Sequence, residues 1–120
     1  LYIALGGAAG SVMRYLLSGA VYGVTGKHFP WGTLTVNVLG SFLMGILATL
    51  VVEKVIVSPE LKNALLVGFL GAFTTFSTFS LESLNLVYQG QVGRALINMF
   101  VSVVVCLLAT WWGVLMARQW

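Results

Sequence analysis

Aspartate is absent from this chain, and the acidic side chains number only three, Glu53, Glu60 and Glu82. Histidine and cysteine occur once each, as His28 and Cys106, and proline twice, as Pro30 and Pro59. These shortages exclude whole classes of chemistry. One chain holds too few ligands for a metal cluster, no aspartate for a Ser-His-Asp arrangement and no second thiol for an internal disulfide. An enzyme is not expected. Charged residues of either sign make up 8% of the chain, and the net charge of +3 comes from six basic residues scattered along it. Without a basic patch there is no footprint for nucleic acid. His28, next to Lys27 in a loop, reads as simply solvated.

What the chain does have is hydrocarbon. Apolar residues account for 59% of the 120 positions, and the mean hydropathy is +1.00, values that point to a membrane protein rather than a soluble domain. Four apolar segments can be marked off, about 1–21, 33–52, 61–87 and 95–117, as spans of a single membrane domain covering 1–120. Roughly 20 helical residues cross a ~30 Å hydrocarbon core, so the third is too long for one straight span. Gly68 and Gly71 precede a run of hydroxyls there. Glycine followed by Ser/Thr is where helices break and free their carbonyls. The expectation is two half-helices with an unwound turn near 71–75. The connections are short: Tyr22 to Gly32, Glu53 to Glu60 and Tyr88 to Arg94, marked by Gly23, Gly26, Pro30, Gly32 and Pro59. Trp31, Tyr88 and Trp120 suit interfacial positions. The chain opens on Leu1 rather than methionine, so residues are expected to precede it. The first segment, glycine-rich and carrying Arg14, reads as a span rather than a removed leader.

Four spans place Lys54, Lys62 and Arg118 on one side, and Lys27 and Arg94 on the other, joined by Arg14 if it reaches that face. The positive-inside rule then gives almost no preference. A small protein without a topology signal can insert both ways, and two such copies can pair antiparallel, with sites at the midplane. Charge in preceding residues is the competing explanation.

The most informative stretch is Gly71-Ala72-Phe73-Thr74-Thr75-Phe76-Ser77-Thr78-Phe79-Ser80-Leu81-Glu82. Hydroxyls and phenyl rings at membrane depth line a cavity, bind something or face another helix. Phe76 and Phe79, three apart, share one face of the second half-helix. Their electropositive ring edges can hold an anion loosely enough to release it; ordinary aromatic packing explains the same spacing. Thr75, Thr78 and Glu82 share another face, as donors ending in a carboxylate or as interhelical hydrogen bonds worth about 0.6–2 kcal/mol each. Asn37 lies one turn into the second span, followed on the same side by Gly40, Ser41, Met44 and Gly45. Its amide can donate two hydrogen bonds to an anion or join two helices. Arg14 is costly in a span, at about 2.5–3.5 kcal/mol for a mid-helix guanidinium. A water-filled mouth, where it would concentrate anions, and snorkelling to headgroups both accommodate it. Gly6 and Gly10, with Gly7 and Ser11, form a small-residue face suited to tight helix packing. Asn98, Ser102 and Cys106 make a one-sided stripe along the fourth span, as pore wall or helix contact.

Together, Gly32-Thr33-Leu34-Thr35-Val36-Asn37 and the Thr-Thr-Phe-Ser-Thr-Phe-Ser string closely resemble the bacterial Fluc (CrcB) fluoride channels. The resemblance extends over essentially the whole chain, including Arg14, the Pro-Trp-Gly-Thr entry to the second span and the broken third. It implies an all-α membrane protein with four transmembrane helices per chain, assembled as a dual-topology antiparallel homodimer with two pores. It also implies selectivity for fluoride over chloride and passive fluoride export across the bacterial inner membrane. By the same resemblance Phe76, Phe79 and Asn37 line the fluoride pathway, with Thr75, Ser77, Thr78 and Glu82 along the pore and its exit. Asn98 and Ser102 fall on a polar track, and Arg14 matches a vestibule arginine. The backbone carbonyls of Gly71 and Thr74, from both subunits, match those that hold a central structural sodium ion (Na+). Cys106 stands where serine is common, which puts that position in doubt as a fluoride contact. Ala72 and Phe73 replace residues that are often glycine and leucine.

Two other classes compete. A small dual-topology multidrug transporter has similar length and span number but needs a membrane carboxylate early in the chain, where this chain has Arg14. A non-conducting assembly subunit would show an unbroken third helix and a dry dimer interface.

Overall fold

The computed structural model describes residues 1–54 and 57–120; the expected connection Glu53 to Glu60 includes Val55 and Ile56, which lie outside the described residues. The described chain is all helical. Helix α1 is Tyr2–Thr25 and α2 is Trp31–Thr49, the latter continuing as a π-helical turn, Leu50–Lys54. Next comes a column built from α3 (Pro59–Lys62), a π-helical stretch (Asn63–Leu70) and α4 (Gly71–Phe73). After a two-residue interruption follow α5 (Phe76–Tyr88) and α6 (Val92–Arg118). Ser58 caps α3 with its hydroxyl on the Leu61 N–H, and Pro59 occupies the first turn, where its missing N–H costs nothing. Positive-φ glycines, Gly26 (76°) and Gly90 (77°), terminate α1 and the turn after α5.

Three columns, Trp31–Lys54, Pro59–Tyr88 and Val92–Arg118, are long and apolar enough to cross a membrane. With the matches described below, they make this a multi-pass membrane protein. Helix α1 has the length, at 24 residues, but Arg14, its glycines and its tyrosines make it less apolar. Burial fits a lipid solvent. The buried side chains include Thr33, Ser83, Asn98 and Ser102, while Leu1, Val24, Leu96, Phe100 and Leu107 are exposed. Without water in the bilayer core, apolar residues gain nothing by hiding, and polar ones must find partners inside.

Direction follows from contacts. Arg94 donates to the His28 carbonyl, Thr110 to that of Ser41 and Lys54 to that of Arg118, so α2 and α6 advance together. Helix α1 advances with the third column, since Gly6 meets Ala64, Gly10 meets Phe69 and Tyr22 meets Glu82. The two pairs therefore run in opposite directions. Close approach is made by glycine. A Cβ on Gly6 would overlap the Ala64 carbonyl, one on Gly10 that of Phe69, and one on Gly45 that of Thr110. The Gly6/Gly10 face thus packs against the π-helical stretch as a backbone contact. At one end of the bundle Lys54 Nζ caps α6 through Arg118 O (2.7 Å) and Trp120 O (2.6 Å). The neighbouring Arg118–Glu53 pair is exposed and contributes at most about 1 kcal/mol.

Candidate functional site

The site begins where the third column fails to remain a helix. Thr74 (φ −84°, ψ 159°) and Thr75 (φ −149°, ψ 115°) are extended. An uninterrupted helix would direct the Thr75 N–H to the Gly71 carbonyl. Here it donates instead to Asn37 Oδ1 (2.7 Å), while Asn37 Nδ2 donates to the Thr75 carbonyl (3.0 Å). The side chain of α2 has replaced a backbone rung. Thr75 then caps α5, its Oγ1 accepting from the Thr78 N–H (3.2 Å) and donating to Thr78 Oγ1 (3.1 Å). On the other side of the gap, the Thr74 hydroxyl donates back to Leu70 O (3.0 Å). Gly71–Phe73, within the stretch expected to unwind, is helical; Gly71 itself has φ −60° and ψ −37°. The interruption is narrower than 71–75 because hydroxyl capping and the Asn37 pairing make it, not glycine flexibility. Gly40 lets the gap approach α2, since a Cβ there would overlap Thr74 Cγ2 and sit 3.1 Å from the Phe73 ring.

Beside this gap lies an open groove of about 310 Å³. Asn37, Ser41 and Met44 of α2 form one wall, Ser102, Cys106 and Thr110 of α6 another, and Thr75, Phe76 and Phe79 the third. The two phenyl centroids are 5.4 Å apart with planes at 53°, a tilted pair of rings whose edges are electropositive. Phe76 is 76% exposed, much of its ring without a neighbour in the chain. Asn37 spends one amide hydrogen on Thr75 and retains the second. The hydroxyls are engaged internally: Ser102 donates to Asn98 Oδ1 (3.3 Å), Thr110 to Ser41 O (3.1 Å) and Cys106 O (3.0 Å). Either can turn its proton into the groove for the loss of one neutral hydrogen bond, about 1 kcal/mol. Adjacent to the groove, the first N–H groups of α5 carry the positive end of that helix. Ring edges, amide hydrogens and hydroxyls make a wall of weak donors without a full charge, which suits transient contact with an anion.

Other expected site residues stand elsewhere. Asn98 is buried and donates to Ser83 Oγ (2.9 Å), joining α6 to α5 rather than lining the groove. Ser77 is exposed and Thr78 half-buried, and neither lines it. Glu82, two turns farther along α5, borders a separate recess of about 210 Å³ with Lys27, Asn85 and Gln89. Its carboxylate accepts from Tyr22 Oη (2.6 Å) and from the Thr33 hydroxyl. Arg14 is half-buried, and its Nε donates to the Ala72 carbonyl (3.0 Å). It caps the end of α4, next to the interruption.

Residues 1–114 match the sequence profile of the family described as CrcB-like protein, Camphor Resistance (CrcB). The chain belongs to the CrcB-like family. It is 56% identical over 117 residues to a protein of Magnetococcus marinus named fluoride-specific ion channel FluC, covering 98% of this chain and 95% of that one. A protein of the same name from Geobacter sulfurreducens is 50% identical over 119 residues, covering 99% and 96%. A third, from Hahella chejuensis, is 51% identical over 118 residues, covering 98% and 93%. CrcB-like proteins of this kind are channels rather than enzymes.

The gap also leaves backbone carbonyl oxygens, the ligand type a hard cation takes. Turning the Thr75 and Thr78 N–H groups to side chains deprives the Gly71 and Thr74 carbonyls of their helical partners. Arg14 occupies the carbonyl between them, that of Ala72. Thr110 was missed at the level of sequence, although one more step of the period through Asn98, Ser102 and Cys106 reaches it. Tyr22 and Thr33 carry no spacing signal that would pair them with Glu82.

Proposed function

We propose that this chain forms a fluoride-selective channel, two antiparallel copies enclosing two pores in a bacterial inner membrane, with passive fluoride export as its role. All four helical columns span the bilayer in this reading, α1 crossing with Arg14 tucked against the Ala72 carbonyl. The observation that carries it is the groove in which Phe76 and Phe79 face Asn37, Ser102, Cys106 and Thr110 beside the interrupted helix. The relatives' name supplies the ion. The exposed ring of Phe76 supplies the reason for a second copy, which would close the open side of each groove.

Fluoride entering such a groove exchanges water for the free Asn37 amide hydrogen, the rotatable hydroxyls of Ser102 and Thr110, and the phenyl edges. No single partner is a cation, so the ion is held weakly enough to leave. Cys106 offers a poorer donor than serine and narrows this wall without helping to bind. Ser77 and Thr78 belong to the first turn of α5, and Glu82 marks the outer end of the path. Asn98 acts on that path through Ser102, whose proton it holds. Gly71 and Thr74 of both copies would hold a structural sodium ion, which neutralises the converging carbonyl ends where the two interrupted helices cross.

The test is fluoride efflux from liposomes containing the purified protein, read with a fluoride electrode, with valinomycin carrying compensating potassium. Rapid efflux that needs valinomycin, with chloride retained in a parallel preparation, is the expected result. A folded dimer passing no fluoride, or passing chloride equally well, would overturn the proposal.

A further inference from the structure

The carboxylate of Glu82 is held from two sides by helices other than its own. Tyr22 Oη of α1 donates to Oε2 at 2.6 Å, and the Thr33 hydroxyl of α2 donates to Oε1. The two donors are tied to each other, since the Thr33 N–H donates to Tyr22 Oη at 3.4 Å and the two hydroxyl oxygens are also 3.4 Å apart. The Tyr22 ring has a dedicated place. A Cβ on Gly32 would overlap ring Cε2, lie 2.7 Å from Cδ2 and stand 2.8 Å from Ser18 O. Only glycine at position 32 lets the phenol lie flat there and reach α5. Gly32 and Thr33 are both buried, whereas Glu82 opens onto the recess that contains Lys27.

We infer that Tyr22, resting on Gly32, is a positioning residue that fixes and partly neutralises the Glu82 carboxylate at the mouth of the conduction path. The inference rests on the channel reading above. A bare carboxylate there would repel an approaching anion. With one oxygen bonded to α1 and the other to α2, the carboxylate cannot swing into the path, and its charge is spread over two donors. Hydrogen bonds to a charged group are the stronger kind, so losing the phenol hydroxyl frees Oε2 both in charge and in rotation.

The test pairs fluoride flux with infrared spectroscopy of purified dimers, for the parent protein and for Y22F, G32A, E82Q and Y22F/E82Q. The Glu82 carboxylate stretch is assigned by its loss in E82Q, a readout independent of conduction. Y22F is expected to shift that band and to slow fluoride flux about tenfold with the dimer intact. G32A, which displaces the ring, is expected to shift the band in the same direction. In the E82Q background Y22F is expected to add no further slowing. An unshifted band in both Y22F and G32A, or equal slowing by Y22F with and without Glu82, would overturn the inference. Absence of flux in the parent protein would instead refute the channel reading, leaving the band shift to decide the positioning.

Discussion

Replacing Asn37 with alanine removes both hydrogen bonds that keep the third column interrupted. The Thr75 N–H loses its acceptor at 2.7 Å and the Thr75 carbonyl its donor at 3.0 Å. Each backbone group left unpaired away from water costs about 1–3 kcal/mol, so the interrupted conformation is raised by about 2–6 kcal/mol if nothing re-forms. The chain has one local remedy, which is to return the Thr75 N–H to the Gly71 carbonyl and continue the helix. That would rotate Phe76 and Phe79 away from α6 and occupy a carbonyl proposed to hold sodium. With a tenfold change in an equilibrium ratio for each 1.4 kcal/mol, even the lower bound shifts the ratio of interrupted to continuous helix by about 30-fold. Two measurements follow this. Fluoride efflux from liposomes should fall by at least tenfold, and amide hydrogen exchange at Thr75 should change relative to residues of α6. Asn37→Asp keeps an acceptor for the N–H but sets an oxygen against the Thr75 carbonyl, and it should fall between the parent and the alanine variant. If Asn37→Ala exchanges at Thr75 and conducts like the parent, the side chain does not hold the gap and the reasoning fails.

Two further outcomes bear on the site and the packing. Phe76→Ala removes the more exposed ring of the pair and should slow fluoride flux at least tenfold while leaving the melting temperature of the purified protein within a few degrees. A large loss of melting temperature with normal flux would assign the ring to packing alone. Gly45→Leu places a side chain against the Thr110 carbonyl, where even a Cβ overlaps. Overpacking of that kind costs about 1–3 kcal/mol or more. The variant should therefore lose yield and thermal stability, and unchanged stability would show that α2 and α6 do not approach as closely as described.

By itself, the sequence determined the class of the protein and much of its outline. The scarcity of charge and the apolar runs specify a membrane solvent, and hydroxyls after Gly68 and Gly71 identify where the third column is interrupted. Tertiary structure decided which side chains use that interruption, because the decisive hydrogen bonds join residues far apart. Asn37 meets Thr75 across 38 positions and Tyr22 meets Glu82 across 60. Periodicity tells which residues share a face of one helix, not which helix that face meets. Asn98, Ser102 and Cys106 share one face, yet Asn98 is buried against Ser83 while Thr110, one step beyond, lines the groove. Arg14 has the chemistry of an anion-gathering vestibule, and packing of α1 along the third column brings its Nε to the Ala72 carbonyl, a contact the sequence does not announce. A carboxylate at position 82 was evident from the start. That it would be clasped by a tyrosine seated on a glycine depends on three helices converging, and only the fold can arrange that.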